Sequence, residues 1–551
     1  MVTHTVVNQP PPRVDVDEFS AHAALREGVE RYDAGWATGA LGEVGRLVGS
    51  AAFQRDAELA TLHEPQLRAF DRWGNRIDEV EYDDGYHRVI AAAVAAGAHT
   101  SAWAEPRPGA NVARAAAFML FAQVESGHAC PVSMTHAAVP ALAASDALAS
   151  EWMPRLLSRE YDGTLRAGKS SALFGMAMTE KQGGSDVRAN TTRALSDGDG
   201  RWLITGHKWF CSAPMSDAFL VLAQTAVGLS CFLVPRVLED GSRNVFLIQR
   251  LKDKLGNRSN ASSEVEFDGT VGYLLGEEGR GVRTILEMVN RTRLDCVYGS
   301  AAGMRQAVAE AAWHVRHRSA FGARLVDQPA MTAVLADLAL ESEAATAVAL
   351  RLARAHDVDA PDADVAFRRL ATAVTKYWVC KRGPGHAYEA LECLGGNGYT
   401  EAFPLARRYR EQPVMAIWEG SGNVIALDVL RALRREPAAW DAFDAELALA
   451  RGVYRTFDAH HDRLRARVAS CVAGDAGDVG EASTSAGAAA EASVRPLVAS
   501  LALALQASLL IRDASDAVAD AFVAARLGPE RGSLFGELPS GLDLRALVAR
   551  A

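Results

Sequence analysis

The sequence predicts an α+β fold in four parts: a helical N-terminal domain with an N-terminal arm (1–172), a central antiparallel β-barrel (173–280), a C-terminal helical bundle (281–440) and a helical C-terminal extension (441–551). Three observations carry this. On both sides of the middle segment, apolar residues recur at three- and four-residue spacing in alanine-rich company, the pattern of helices with one buried face. The middle segment instead holds short apolar runs separated by Gly, Asn, Asp and Ser clusters, the pattern of strands and turns. Near the C-terminus, residues 472–492 are rich in Gly, Ala, Ser and Asp and read as a flexible loop.

The elements follow in order. Glu18–Gly49, Phe53–Phe70, Tyr86–His99 and Asn111–Glu125 read as helices, with Trp73-Gly74-Asn75 and Pro106–Gly109 as turns between them. Leu173–Met178, Trp202–Trp209, Ala218–Gln224, Leu229–Pro235, Val245–Arg250 and Val265–Asp268 read as strands. After the glycine-rich turn Gly276–Gly281, the runs Val282–Arg318, Pro329–His356 and Val365–Glu392 are long enough for a bundle. Beyond the loop, Leu497–Ile511 and Asp513–Ala525 look helical.

Composition limits the function classes. Over 551 residues, 49% are apolar and 23% charged, which excludes a largely disordered chain. No run reaches the ~18 uninterrupted apolar residues of a membrane span; the nearest, Pro496–Ile511, is broken by Ser500, Gln506 and Ser508. The N-terminal residues carry neither a basic region nor an apolar one, so secretion is not signalled and a cytoplasmic protein with no membrane partner is expected. Seven scattered cysteines contain no C-x-x-C pair, so reduced thiols and no metal site are expected. A net charge of −10 argues mildly against nucleic acid, while leaving room for local basic patches.

One motif is set aside. Gly163–Ser170 matches the phosphate-loop pattern G-x-x-x-x-G-K-[ST], whose mechanism needs a strand before it and a helix after it. Here Glu151–Asp162 reads as an amphipathic helix and Ser171–Met178 as a strand, so the run is a connecting loop.

Five other runs bear on chemistry. Met178–Asp186 closes a strand with Thr179 and Ser185 either side of Gly183-Gly184, where small residues let backbone amides approach a ligand. Taken alone, it could equally be a polar turn. Gly206–Ser212 ends another strand with Trp209, Phe210, Cys211 and Ser212, either core filling or an aromatic face for a planar cofactor. Arg318, Phe321 and Gly322, with Gln328 beyond, follow a long helix, and Glu392–Tyr399 is a helix end containing Gly395 and Gly396. Last comes Trp418-Glu419-Gly420-Ser421-Gly422-Asn423, a carboxylate between an indole and glycines, suited to a general base.

In this order and spacing the five runs resemble the acyl-CoA dehydrogenase family across residues 110–435. Thr5–Pro10, the Lys181-Gln182 pair, Leu251–Ala261 and the extension past 440 narrow the resemblance to the alkylation-response subgroup of that family. The resemblance implies one FAD per subunit, bound non-covalently, and a homotetramer. It places Met178, Thr179, Gly183, Gly184 and Ser185 at the flavin and pyrophosphate. Phe210, Cys211 and Ser212 would lie at the isoalloxazine ring, and Trp418, Gly420, Ser421 and Asn423 beside the cofactor at a helix start. Arg318, Phe321, Gln328, Gly395 and Gly396 would reach the FAD of a neighbouring subunit. Glu392 departs from the Gln usual at its position, where a carboxylate near FAD phosphates is unfavourable. Glu419 falls at the catalytic base, which removes the α-proton of an acyl-CoA thioester while hydride leaves the β-carbon; the family polarises the thioester carbonyl with the base's own backbone amide and a flavin hydroxyl. Some members carry the base on the helix after the barrel, where this chain has Thr292, which cannot serve.

The subgroup resemblance also implies double-stranded DNA as a partner and a role in the response to DNA alkylation, attributed largely to the C-terminal region. Residues 441–551 resist this, with eleven Arg, no Lys and fifteen acidic residues. Basic clusters lie elsewhere, at Arg250–Arg258, Arg291 with Arg293, Arg316 with Arg318, Arg407–Arg410 and Arg431–Arg435. Three readings stay open: a DNA-protecting flavoprotein with weak, isovaleryl-CoA-like dehydrogenase activity, a metabolic short- or branched-chain acyl-CoA dehydrogenase, and a flavin-stabilised scaffold without turnover.

Overall fold

Pro65 stops a helix and so opens the β part of the chain earlier than the periodicity predicts. In the computed structural model, which describes residues 3–473 and 485–551, α1 (Ala23–Arg31), α2 (Thr38–Gly49) and α3 (Ala51–Leu62) precede a hairpin of β1 (Gln66–Phe70) and β2 (Arg76–Glu81). Phe53–Phe70 is therefore not one helix. Trp73-Gly74-Asn75 belongs to the hairpin turn, where the Asp71 carboxylate accepts the amides of Trp73 and Asn75. Then come α4 (Asp84–Ala95), α5 (Ser101–Ala104), α6 (Ala110–Ala122), α7 (Ala129–Leu142) and α8 (Asp146–Leu156). Helix α7 is buried on nearly every side, so its sequence lacks the polar stripe that periodicity needs. Strands β3 (Phe174–Ala177), β4 (Arg193–Gly198), β5 (Arg201–Ser212), β6 (Ala218–Gln224), β7 (Leu229–Pro235), β8 (Leu247–Leu251) and β9 (Ser262–Leu275) follow. The helical remainder is α9 (Gly281–His317), α10 (Pro329–Arg354), α11 (Asp362–Glu392), α12 (Pro404–Met415), α13 (Gly422–Arg435), α14 (Pro437–Ala448), α15 (Arg455–Ala473), α16 (Ser485–Asp513), α17 (Asp516–Phe522) and α18 (Leu544–Ala549).

Contacts group these elements into two units, neither continuous in sequence: Ser50–Pro106 with Val124–Asp295, and Met1–Gly49 with Arg107–Gln123 and Cys296–Ala551. The linear boundaries at 172, 280 and 440 do not coincide with this division.

In the β-containing unit, strand pairings run β6–β7–β9–β5–β4 and back to β6, a closed circuit, with β3 beside β6 and β8 beside β9. The expected antiparallel pairing holds for every strand pair but two. β3 runs parallel to β6, Phe174–Ala177 against Ala218–Val221, and β4 meets β6 through a parallel bridge. A parallel neighbour needs a long connection, and the loop and β4–β5 hairpin between β3 and β6 supply it. β4 escapes periodicity because most of its residues are exposed. Phe219, Phe232, Phe246 and Phe267 dominate the core, and Val80 of β2 joins it.

In the other unit, α16 packs against α10, α11, α13, α14 and α15. It is the single helix among the described residues long and apolar enough to cross a membrane, yet 72% of its apolar window is buried inside the protein. The 472–492 loop is corrected at its flanks, where Val472 and Ala473 close α15 and Ser485–Ala492 open α16, alanine-rich sequence favouring helix. Its centre, 474–484, lies outside the described residues.

Candidate active site

The loop after β3 is built around a buried ion pair. Glu180 and Lys208 have fully buried side chains 3.0 Å apart, and Lys208 Nζ also donates to Leu222 O. Glu180 further accepts the Thr191 amide at 2.7 Å, the Thr191 hydroxyl at 2.9 Å and the Thr192 amide at 3.1 Å. Burial pushes its pKa up, but the Thr191 amide, the Lys208 charge and Thr192 overcome that and hold it well below the ordinary carboxylate range. Trp209 N donates to Thr179 O at 2.8 Å, and Asn190 Nδ2 to Met178 O at 2.8 Å. Glu180 and Gly183 bridge each other through their backbones, and Gly183 at φ +146° adopts a conformation closed to most side chains. A Cβ on Gly184 would stand 2.4 Å from Thr179 Oγ1, so glycine there is what admits the Thr179 side chain. Gly183, Gly184 and Ser185 are exposed.

At the end of β5, Phe210 is 50% exposed and Ser212 Oγ lies 3.2 Å from Ser262 Oγ. Cys211 points the other way: its side chain is part of the β core, and burial pushes the thiol up to about 12. Only its main chain is left to serve a ligand. Trp209 stands among cations, with Lys252 Nζ 3.1 Å from its ring centroid, Arg250 at 5.7 Å and Lys181 at 5.9 Å. Glu125 anchors the 251–261 run from within the same unit, accepting from Gly127 N, His128 N and Ser259 Oγ. Thr292 donates to Val289 O of its own helix at 3.0 Å.

The helical unit carries the remaining candidates. Between α12 and α13 the chain makes a turn in which Trp418 N donates to Val414 O at 3.0 Å and Ser421 O accepts the Ile425 amide as α13 begins. Within it Glu419 has φ +57°, a left-handed conformation that costs a non-glycine residue energy and so needs support from its surroundings. Gly420 follows at φ +107°. Trp418 packs on Cys296, Cys380 and Met415, and its buried Nε1 has no hydrogen-bond partner among the described residues. Ser421 and Asn423 are exposed at the α13 N-terminus, where amides and dipole favour an anion. A Cβ on Gly422 would stand 2.4 Å from Lys381 Cε, so glycine allows the close approach of α11.

Arg318 and the 395–399 turn share a fastener. Asn8, itself at φ +58°, accepts the Ser319 amide, donates to Ser319 O and receives Arg318 Nη1 on its own carbonyl, each at 2.8 Å. Asn397 Nδ2 donates to Gln9 at 3.3 Å. Gln328 Nε2 donates to Ala320 O at 2.9 Å, leaving Phe321 fully exposed at φ +53°. Gly395, Gly396 and Tyr399 are exposed nearby in sequence. Glu392 is exposed and pushes the neighbouring Tyr388 hydroxyl upward through its charge and hydrogen bond.

The sequence named the loop and strand-end residues but gave no role to Glu180, Lys208 or Asn8. All three stand inside the runs that carried the resemblance, and that was the available signal. The rejected phosphate-loop run is confirmed as a connector: Lys169 is spent on Asp217 and on the carbonyls of Asp162 and Thr164.

The basic clusters are neutralised in part. Arg250 and Lys252 pair with Glu264, Arg258 with Glu64, Arg408 with Glu310 and Arg410 with Glu401. In the extension, Arg512 pairs with Glu446, Arg526 with Asp337 and Glu341, and Arg550 with Glu27 and Glu343.

Comparison with known proteins adds the following. Residues 8–163 match the adaptive response protein AidB N-terminal domain, 175–270 the acyl-CoA dehydrogenase middle domain and 279–434 the acyl-CoA dehydrogenase C-terminal domain. The chain is 48% identical to AidB of Escherichia coli K12 over 84% of its own length and 86% of that protein's. Caenorhabditis elegans ACDH-11, solved in complex with C11-CoA, superposes with a TM-score of 0.84 at 25% identity, covering 95% of this chain and 92% of that one. A Mycobacterium smegmatis glutaryl-CoA dehydrogenase in complex with FADH2 shares the fold at 22% identity and a TM-score of 0.52, over 64% of this chain and 95% of that one.

Proposed function

This chain belongs to the acyl-CoA dehydrogenase family, in the branch of AidB, and from that premise we propose that it oxidises short or branched acyl-CoA thioesters with Glu419 as the base. The observation that carries this is the Glu419 turn: a carboxylate-bearing residue held in a left-handed conformation between Trp418 and Gly420, just before α13. Backbone strain of this kind persists where a side chain must be presented in one direction. An α-proton beside a thioester is weakly acidic, so the base has to act together with a donor on the carbonyl oxygen, and the Glu419 amide is that donor in this reading.

FAD is the cofactor of the family, and the residues present suit it. Gly183 and Gly184 leave backbone open in front of Ser185, Phe210 offers a half-exposed ring, Trp418 Nε1 is a buried donor in want of an acceptor, and the α13 start suits phosphate. On the β-containing unit Thr179, Ser185, Phe210 and Ser212 would hold it, and the helical unit for its part offers Asn423 at a helix start. When bound, FAD supplies the acceptor for the β-hydride. Glu419 takes the α-proton onto its carboxylate, and Thr292 takes no part.

The test is an anaerobic titration of the FAD-loaded protein with isovaleryl-CoA, butyryl-CoA and undecanoyl-CoA, following loss of flavin absorbance. Isovaleryl-CoA is expected to bleach the flavin, and Glu419→Gln to keep bound FAD while slowing bleaching by at least ~1,000-fold. Undiminished bleaching by the variant sinks the assignment.

The match to the AidB N-terminal domain and the likeness to AidB favour a second role, in the cytoplasmic response to DNA alkylation with duplex DNA as partner. The fully exposed Phe321 and the exposed Tyr399 support assembly with further copies, as in a homotetramer.

A further inference from the structure

Lys376 lies on α11, 1% exposed, and its partners among the described residues are carbonyl oxygens rather than carboxylates. Its Nζ donates to Trp418 O at 2.9 Å and to Gly420 O, the carbonyls of the two residues that flank Glu419. A buried ammonium is costly unless its hydrogen bonds are met, and here one three-residue turn accepts two of its three donors. Two consequences follow from that placement. Clamping both carbonyls fixes the Trp418–Glu419 peptide plane and the Gly420–Ser421 plane one residue further on, which brackets Glu419 and supports its φ of +57°. The Trp418 carbonyl and the Glu419 N–H are also two ends of one peptide group, so a cation on that oxygen draws electron density from the nitrogen and strengthens its N–H as a donor.

We propose that Lys376 is a positioning residue for the reaction: it holds the Glu419 carboxylate in its presenting turn and, through the Trp418–Glu419 peptide, strengthens the amide that polarises the thioester carbonyl. This rests on the reading of Glu419 as the base. A lysine present only to fill the core would stabilise the fold and leave the carbonyl of a bound thioester unaffected.

The experiment uses the FAD-loaded protein and two readouts. One is the rate of flavin bleaching by isovaleryl-CoA. The other is the red shift of a bound cinnamoyl-CoA bearing a para-dimethylamino group, whose absorption moves with polarisation of its thioester carbonyl and which is not turned over. Lys376→Met is expected to retain FAD, bind the probe, slow bleaching at saturating substrate at least about tenfold, and shrink the red shift. Lys376→Gln, which keeps one uncharged donor, is expected to fall between Lys376→Met and the parent. Glu419→Gln is expected to stop bleaching while keeping the full red shift, because its amide and Lys376 are intact. A Lys376→Met protein with parental rate and parental red shift overturns the proposal. If Lys376→Met fails to fold by thermal melting, Lys376→Gln decides: parental values in both readouts overturn the proposal, and a reduced red shift supports it. Failure of the base reading shows separately, as undiminished bleaching by Glu419→Gln, and removes the proposal's premise.

Discussion

Glu125 and Glu180 do similar work at two places in the β-containing unit: each is a buried carboxylate that gathers the donors of a loop. Glu180 shapes the Gly183–Ser185 loop, and Glu125 ties the 257–261 turn through Ser259. Burial pushes the Glu125 pKa up, and the His128 and Ser259 contacts more than reverse it, to about 2 against an ordinary 4.5. A carboxylate whose pKa is depressed by folding stabilises the fold above its unfolded pKa, and the contribution fades as pH falls through the folded one. The shift corresponds to roughly 3 kcal/mol at neutral pH, of which roughly 2 kcal/mol is gone by pH 3. Urea unfolding of the parent and of Glu125→Gln is therefore expected to show a gap that narrows by about that amount from pH 7 to pH 3; a constant gap would assign the effect to packing. At this scale the sequence was informative about which residue types matter and silent about who faces whom. Met178–Asp186 and Gly206–Ser212 both stood out, but nothing in either run shows that Glu180 and Lys208 meet, because that contact joins the loop after β3 to β5 and is set by the fold rather than by either run.

Among elements, the N-terminal arm is the least expected part of the site. The run Thr5–Pro10 served only as a point of resemblance, yet Asn8 holds Arg318 and Ser319 with three hydrogen bonds. Asn8→Ala is expected to cost about 1–3 kcal/mol of local stability and to expose the 318–324 loop. Limited proteolysis reads this as faster cleavage there with the core intact; an unchanged cleavage pattern would show the arm to be dispensable. Elements with clear periodicity, such as α9 and α10, were legible to within two residues at either end. Three kinds of element were not. α7 is buried all round and lacks a polar stripe, β4 is too polar, and β1 begins just past a proline after a run that still looks helical. The helical flanks of 472–492 were missed for a related reason: small residues read as linker when their helix packs through alanine.

On the scale of the whole molecule, charge bears on the proposed DNA partner. Of the eleven arginines in the extension, Arg451, Arg465, Arg512, Arg526 and Arg550 are already paired with carboxylates among the described residues, and the segment as a whole is acidic. Binding to a 30-base-pair duplex is thus expected to fall only shallowly with salt, with a slope of log K against log salt no steeper than about −3. A slope several-fold steeper would mean that these ion pairs open on binding or that several copies pool their remaining cations. The paired arginines of the extension also reach back to helices made much earlier, Arg550 to Glu27 and Arg526 to Asp337. With α16 they make this unit a structure completed late. The ribosome delivers the greasy filling of the trough between α10, α11 and α13 after those helices have emerged, at ~5–20 residues per second. For several seconds each nascent chain carries an open seam that invites chaperones or neighbouring nascent chains, and synthesis slowed between α14 and α16 would prolong that hazard in every copy made.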